Sequence, residues 1–153
     1  MMAAITRDGP AAMVLSAHGF ADLVAAVKAE TGATMVFDAT IYPGYAVLRL
    51  PVDRETKREA SYYWDGKKLD ANDTFGKSST PRLDLTTVSV AGMLALSARI
   101  REVVEEPNSW YVILHAPEGG DGAAMYAYAS NKYTEGGYLS ADLTGKQIRE
   151  VIW

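Results

Sequence analysis

The chain reads as an α+β domain, an antiparallel sheet with two helices on one face, built from two α-β-β-β(-β) halves. Three observations predict it. Two segments with apolar residues at helical spacing are each followed by segments that alternate with period two. Glycine-containing turns separate the alternating segments. The order helix, hairpin, third strand, tight turn and return occurs twice, over about residues 16–70 and 86–153. Residues 1–15 stand before both halves as an N-terminal extension. At 153 residues the chain is the size of one domain, which removes roughly 70% of its unfolded surface from water.

The first helix is expected over residues 17–31, where Phe20, Leu23, Val24 and Val27 share one face and Asp22, Lys28 and Glu30 lie off it. Ser16 is a natural N-cap, and Gly32 can end the helix in a left-handed conformation. Residues 34–42 alternate Met35, Phe37, Ala39 and Ile41 against Val36, Asp38, Thr40 and Tyr42, the pattern of a half-buried strand. Pro43-Gly44 turns the chain into a returning strand, 45–52, with Tyr42 and Tyr45 across the tip. A charged link, 53–58, precedes a third strand at 59–64. Asp65-Gly66 then marks a hairpin whose return, 67–70, is brief. Residues 71–85, rich in Asn, Asp, Thr, Ser, Gly, Lys and Pro, read as a surface connection.

The second helix is expected over residues 89–106, with Met93, Leu96, Ile100 and Val103 on one face and Pro107 as its stop. Strands follow at 109–116, 123–131, 137–143 and 146–153, interrupted by the glycine-rich loop 118–122 and the Thr144-Gly145 turn. Asp65-Gly66-Lys67 and Thr144-Gly145-Lys146 thus fall at equivalent places. Duplication and common turn chemistry both account for that match.

The repeated order is similar to the tandem helix-plus-strands architecture of the β-lactamase inhibitor protein fold, over roughly residues 16–153. The closing run Tyr138-Leu-Ser-Ala-Asp-Leu-Thr-Gly-Lys-Gln-Ile resembles the terminal strands of PepSY-type domains. The segments Thr40-Ile-Tyr-Pro-Gly-Tyr-Ala-Val, Trp110-Tyr-Val-Ile and Gly136-Gly-Tyr-Leu-Ser-Ala-Asp-Leu look like those of uncharacterised actinobacterial proteins, often lipoproteins or membrane-anchored. That resemblance implies a fold and no activity, and this chain departs from it in lacking an anchor.

Composition narrows the function. A net charge of −4 with dispersed cations, Lys67–Lys68 and Arg99/Arg101 being the nearest pairs, disfavours nucleic acid and anionic lipid. Without cysteine there are no disulfides, thiolate catalysis or Cys-ligated metals. The first ten residues hold Arg7 and Asp8 but no apolar stretch of signal-peptide length, and no run approaches a membrane span. As written the chain reads as cytoplasmic and not membrane-inserted. As a fragment of a longer precursor it would read as exported.

No motif declares an active site. His18 and His115 are the only histidines, at no metal-ligand spacing, and no Gly-x-Ser-x-Gly elbow offers a nucleophile. The run from Asp70 to Thr74 fails as a calcium loop, because its glycine comes late at Gly76 and Pro81 holds the bidentate glutamate position. Asn72-Asp73-Thr74 fits a glycosylation sequon, and Gly119-Gly120-Asp121-Gly122 lacks the Lys-Ser/Thr of a phosphate loop. The chain therefore reads as non-catalytic and without cofactor.

What remains is aromatic: nine Tyr and three Trp, concentrated in strands and turns. Adjacent pairs such as Tyr62/Tyr63 and Trp110/Tyr111 must point to opposite sheet faces. With both helices on one face, the other carries one aromatic of each pair. Tyr42, Tyr45, Tyr63, Tyr111, Tyr126, Tyr128 and Tyr138 are the candidate interaction residues, for a protein partner or a homodimer, with the loops 43–44 and 118–122 beside them. The alternatives are a small-ligand pocket or enzyme site between helices and sheet, with His115 as its titratable group, and a structural role in a larger assembly.

Overall fold

Ser16 opens the first helix, α1 (Ala17–Thr31), by accepting the Gly19 N–H on its hydroxyl at 3.0 Å. Gly32 closes it at φ 82, where its own N–H reaches the Lys28 carbonyl. Phe20, Leu23 and Val27 form the buried face. The computed structural model describes residues 13–153. The extension expected over residues 1–15 lies outside the described residues up to position 12. From Met13 onward it belongs to the fold, because Val14 and Leu15 are buried and the Val14 N–H donates to the Pro43 carbonyl.

The strand expected over 34–42 is broken. Val36 and Phe37 are consecutive and both buried, so alternation fails between them. β1 (Met35–Val36) pairs antiparallel with β6 (Leu83–Asp84) as a separate two-stranded sheet, and β2 (Asp38–Ile41) enters the main one. β3 (Ala46–Pro51) returns across the Pro43-Gly44 turn, closed by the Tyr42 N–H on the Tyr45 carbonyl, and β4 (Arg58–Trp64) follows.

The brief return after Asp65-Gly66 is instead a nine-residue edge strand, β5 (Leu69–Lys77). It absorbs half of the segment read as a connection. Its polar residues are those of a loop, and also those of an edge strand exposed on both faces, where charge discourages pairing with another chain. A register shift opposite Ser61 places Asp73 at φ 60, and Asn72 binds both the Ser61 hydroxyl and the Thr74 N–H there. After β6, a 3-10 turn over Leu85–Thr87 leads into α2 (Val90–Val103), capped by Ser89. α2 stops short of the expected 106. Val104 already leaves helical geometry at ψ 127, and Glu106, preceding Pro107, takes a left-handed φ of 48.

β7 (Ser109–Glu118), β8 (Ala123–Ser130), β9 (Gly136–Ala141) and β10 (Gln147–Ile152) complete an eight-stranded sheet of order β10-β9-β8-β7-β2-β3-β4-β5. Each half contributes a four-stranded meander, and the two join through their first strands, β2 and β7. The two glycine turns align differently from the expected Gly-Lys match. Gly66 opens a two-residue turn, whereas Gly145 closes a three-residue one. The residues with the same role are Asp65 and Asp142, whose carboxylates each accept two backbone N–H groups of their own turn.

Both helices cover one face of this sheet. Phe20, Leu23 and Val27 of α1 and Met93, Leu96 and Ile100 of α2 share a single core with Ile41, Leu48, Val112, Leu114, Met125 and Leu139. α2 is drawn onto the β9–β10 turn by the Ser89 N–H on the Leu143 carbonyl, at 2.8 Å. The approach is so close that a Cβ on Gly92 would lie 2.7 Å from the Thr144 carbonyl oxygen and 2.8 Å from Gly145 Cα.

Two substitutions test this packing by chemical denaturation. Gly92→Ala should gain about 1 kcal/mol of helix propensity, yet it is expected to destabilise the protein, because the new methyl meets backbone that cannot yield. Ser97 is 1% exposed and its hydroxyl has no partner among the described residues. Ser97→Ala is expected to be neutral or to stabilise by up to about 1 kcal/mol.

Candidate interaction face

Strand alternation carries Ala39, Ile41, Leu48, Val112, Leu114 and Ala127 to the helices and leaves the intervening residues on the far face. Tyr62 and Tyr63 divide as alternation requires. Tyr62 packs against the core and donates to Glu30 of α1 at 3.3 Å, while Tyr63 lies on the far face, 41% exposed. Trp110 likewise packs on the helix side beneath the Arg101 guanidinium, and Tyr111 lies opposite.

All seven candidate tyrosines stand on the far face and touch one another in a continuous row. From β4 the row runs Tyr63 to Tyr45 at 5.4 Å between ring centroids, then Tyr45 to Tyr42 at 4.4 Å across the Pro43-Gly44 turn. Tyr42 meets Tyr111 of β7 at 5.1 Å, and Tyr111 stacks on Tyr128 of β8 at 5.0 Å. Tyr128 meets Tyr138 of β9 at 5.1 Å; Tyr138 and Tyr126 are 5.7 Å apart, and Tyr126 ends against His115 at 5.3 Å. Register explains the contacts: Tyr111 pairs directly with Tyr128, and Tyr128 with Tyr138.

The inner rings therefore have an aromatic neighbour on either side; Tyr42–Tyr45, Tyr45–Tyr63 and Tyr111–Tyr128 are stacked, and the other contacts are tilted by 36 to 49°. Burial pushes the hydroxyls of Tyr42, Tyr111, Tyr126 and Tyr128 above the ordinary phenol value. The neighbouring tyrosines add to the shift, and at Tyr126 Asp121 and Glu118 add to it as well.

Beside the row lies a charged cluster that sequence reading missed. Arg49 sits between Asp38 and Glu59, with N–O separations of 3.8 and 3.7 Å. Burial raises the Asp38 carboxyl, against the pull of Arg49. These residues are far apart in sequence, and only register across β2, β3 and β4 unites them. The loops 43–44 and 118–122 do not converge. They follow the two antiparallel strands β2 and β7 and so lie at opposite ends of the sheet.

His115 is not in a pocket between helices and sheet. It occupies the far face opposite Asp38, with Nδ1 2.8 Å from the Ala116 carbonyl and Nε2 3.8 Å from Glu118. A carbonyl only accepts, so Nδ1 carries a proton. His18 lies on exposed α1, 3.3 Å from Asp22. Neither histidine bonds to a serine or threonine hydroxyl among the described residues. No three His, Asp or Glu side chains converge as a metal set among them, and no helix there is long and apolar enough to cross a membrane.

On the helix side, a cleft of about 570 Å³ lies between the C-terminal end of α1 and strands β4 and β5. No protein-family model, curated protein or solved structure matches the chain.

The tyrosine row carries a pH signature. Because the folded state holds these four phenols above their ordinary pKa of about 10, the unfolded chain ionises first. The stability they contribute is complete below about pH 10 and is lost as pH rises through the higher folded values. Absorbance at 295 nm should show a late-titrating class of tyrosines in the folded protein that merges with the rest in denaturant.

Proposed function

We propose that the protein is a non-catalytic binding module that takes a protein partner on its tyrosine-lined sheet face, a second copy of the chain being the first to test. The observation that carries this reading is the unbroken row of tyrosine rings across β4, β3, β2, β7, β8 and β9, on the face without helices. Recognition of sugars or bases by stacking needs free ring faces, and here Tyr42, Tyr45, Tyr63, Tyr111 and Tyr128 each have a face stacked on another tyrosine. What the row offers a partner is ring edges and phenol hydroxyls across an open sheet face, a surface suited to another protein's backbone and polar side chains. Mutual stacking also fixes the rings before binding, so little side-chain entropy is left to lose.

Sedimentation over a concentration series tests self-association, and photo-crosslinking from a benzophenone residue at position 45 in the producing cells tests other protein partners. The expected result is one dominant crosslinked species, a second copy or a single other protein. Tyr126→Ala and Tyr128→Ala should weaken its association at least about tenfold with the circular dichroism unchanged. Equal crosslinking from position 103, the last residue of α2, which is exposed although helical spacing places it on the apolar face, or no loss on substitution, refutes the reading.

A further inference from the structure

The cleft on the helix side is a second, independent feature. Its floor is apolar: Met35 of β1, Ala60 of β4 and Phe75 of β5 line it, with Val52 at the end of β3. Phe75 is 71% and Val52 54% exposed, unusual exposure for side chains that line a common hollow. The hollow exists because β5 extends past the cover of α1.

The cations of this corner come from distant parts of the chain. Arg54 and Arg82 line the cleft. Arg58 and Lys77, paired at the end of β4 and β5, share by alternation the face that carries Ala60 and Phe75. Thus the cations, dispersed in sequence, gather here. Arg82 is fixed, its guanidinium 5.3 Å above the Phe37 ring and one Nη bonded to the Thr56 carbonyl at 2.7 Å. Neither Arg54 nor Arg82 pairs with a carboxylate among the described residues. Two carboxylates, Glu30 and Asp53, also line the cleft, and each accepts hydrogen bonds within the protein. Asp53 accepts the Glu55 and Thr56 N–H groups of its own turn, Glu30 accepts from Tyr62, and Glu59 faces the other side with Arg49. Glu55 belongs to the same turn.

We infer that this cleft binds a small amphipathic anion, its apolar body on Phe75, Val52 and Met35 and its carboxylate or phosphate head on the Arg82 guanidinium. A volume of about 570 Å³ suits a ligand of that kind. A guanidinium offers five N–H donors in a fork matched to oxyanions, and only one Arg82 hydrogen bond within the protein is present among the described residues. The inference stands or falls apart from the tyrosine face, since the two sites are on opposite sides of the sheet.

The probe is 8-anilinonaphthalene-1-sulfonate, followed by fluorescence on the full chain, with decanoate, decyl phosphate, decanol and decyltrimethylammonium as competitors. Saturable one-to-one binding is expected, displaced by decanoate or decyl phosphate well before the neutral or cationic chain; whichever acts at lower concentration identifies the head group. Arg82→Gln should weaken the probe about tenfold, the loss of a charge-assisted contact. Phe75→Ser should weaken it comparably, while Tyr133→Ser leaves it unchanged. Circular dichroism confirms each variant's fold, and amide shifts on adding decanoate should centre on residues 33–35, 52–54 and 75. Non-saturable binding, equal displacement by the cationic chain, or indifference to both Arg82→Gln and Phe75→Ser overturns the inference.

Discussion

The pairing of β2 with β7 is the joint on which the rest of the molecule depends. Four antiparallel register pairs, from Asp38 with His115 to Ile41 with Val112, weld two four-stranded meanders into one sheet. Each meander alone would have a free edge at its first strand, and edges are prone to unwanted pairing. Joined, the meanders leave only β5 and β10 at the margins. The same four pairs bring Ala39 against Leu114 and Ile41 against Val112 on the helix side, so the core is continuous through the joint.

That joint also aligns the far face. Tyr42, just beyond β2, and Tyr111, in β7, come together because β2 and β7 are held in this one register, and through them the aromatic groups of the two halves become one row. A slip of one residue would turn Tyr111 toward the helices and Val112 away from them. The apolar core on one side and the tyrosines on the other thus enforce the same register.

The two faces have different chemistry from the same strands. Toward the helices, alanines at 39, 46, 127 and 129 make room for α1 and α2 to lie close. On the other side nothing packs within the described residues, and the tyrosines cover the backbone themselves. Where helix cover runs out, at β4 and β5, the helix-facing side opens into the cleft that Arg54 and Arg82 line.

Much of this was legible in the sequence. Local signals place both helices, the Ser16 and Gly32 caps and the Pro43-Gly44 turn, because caps and tight turns depend on residues within four positions of one another. Strict alternation likewise assigns the seven tyrosines to one face. The break at Phe37, the full length of β5 and the turn difference between Gly66 and Gly145 were not legible. Each is decided by a partner strand, and polar edge strands share their composition with loops. Tertiary structure alone joined β2 to β7, set Arg49 between Asp38 and Glu59, and gathered Arg54, Arg58, Lys77 and Arg82 at one corner. Periodicity fixes which way a side chain points; which distant side chain it meets is fixed by pairing register, and register is a property of two strands together.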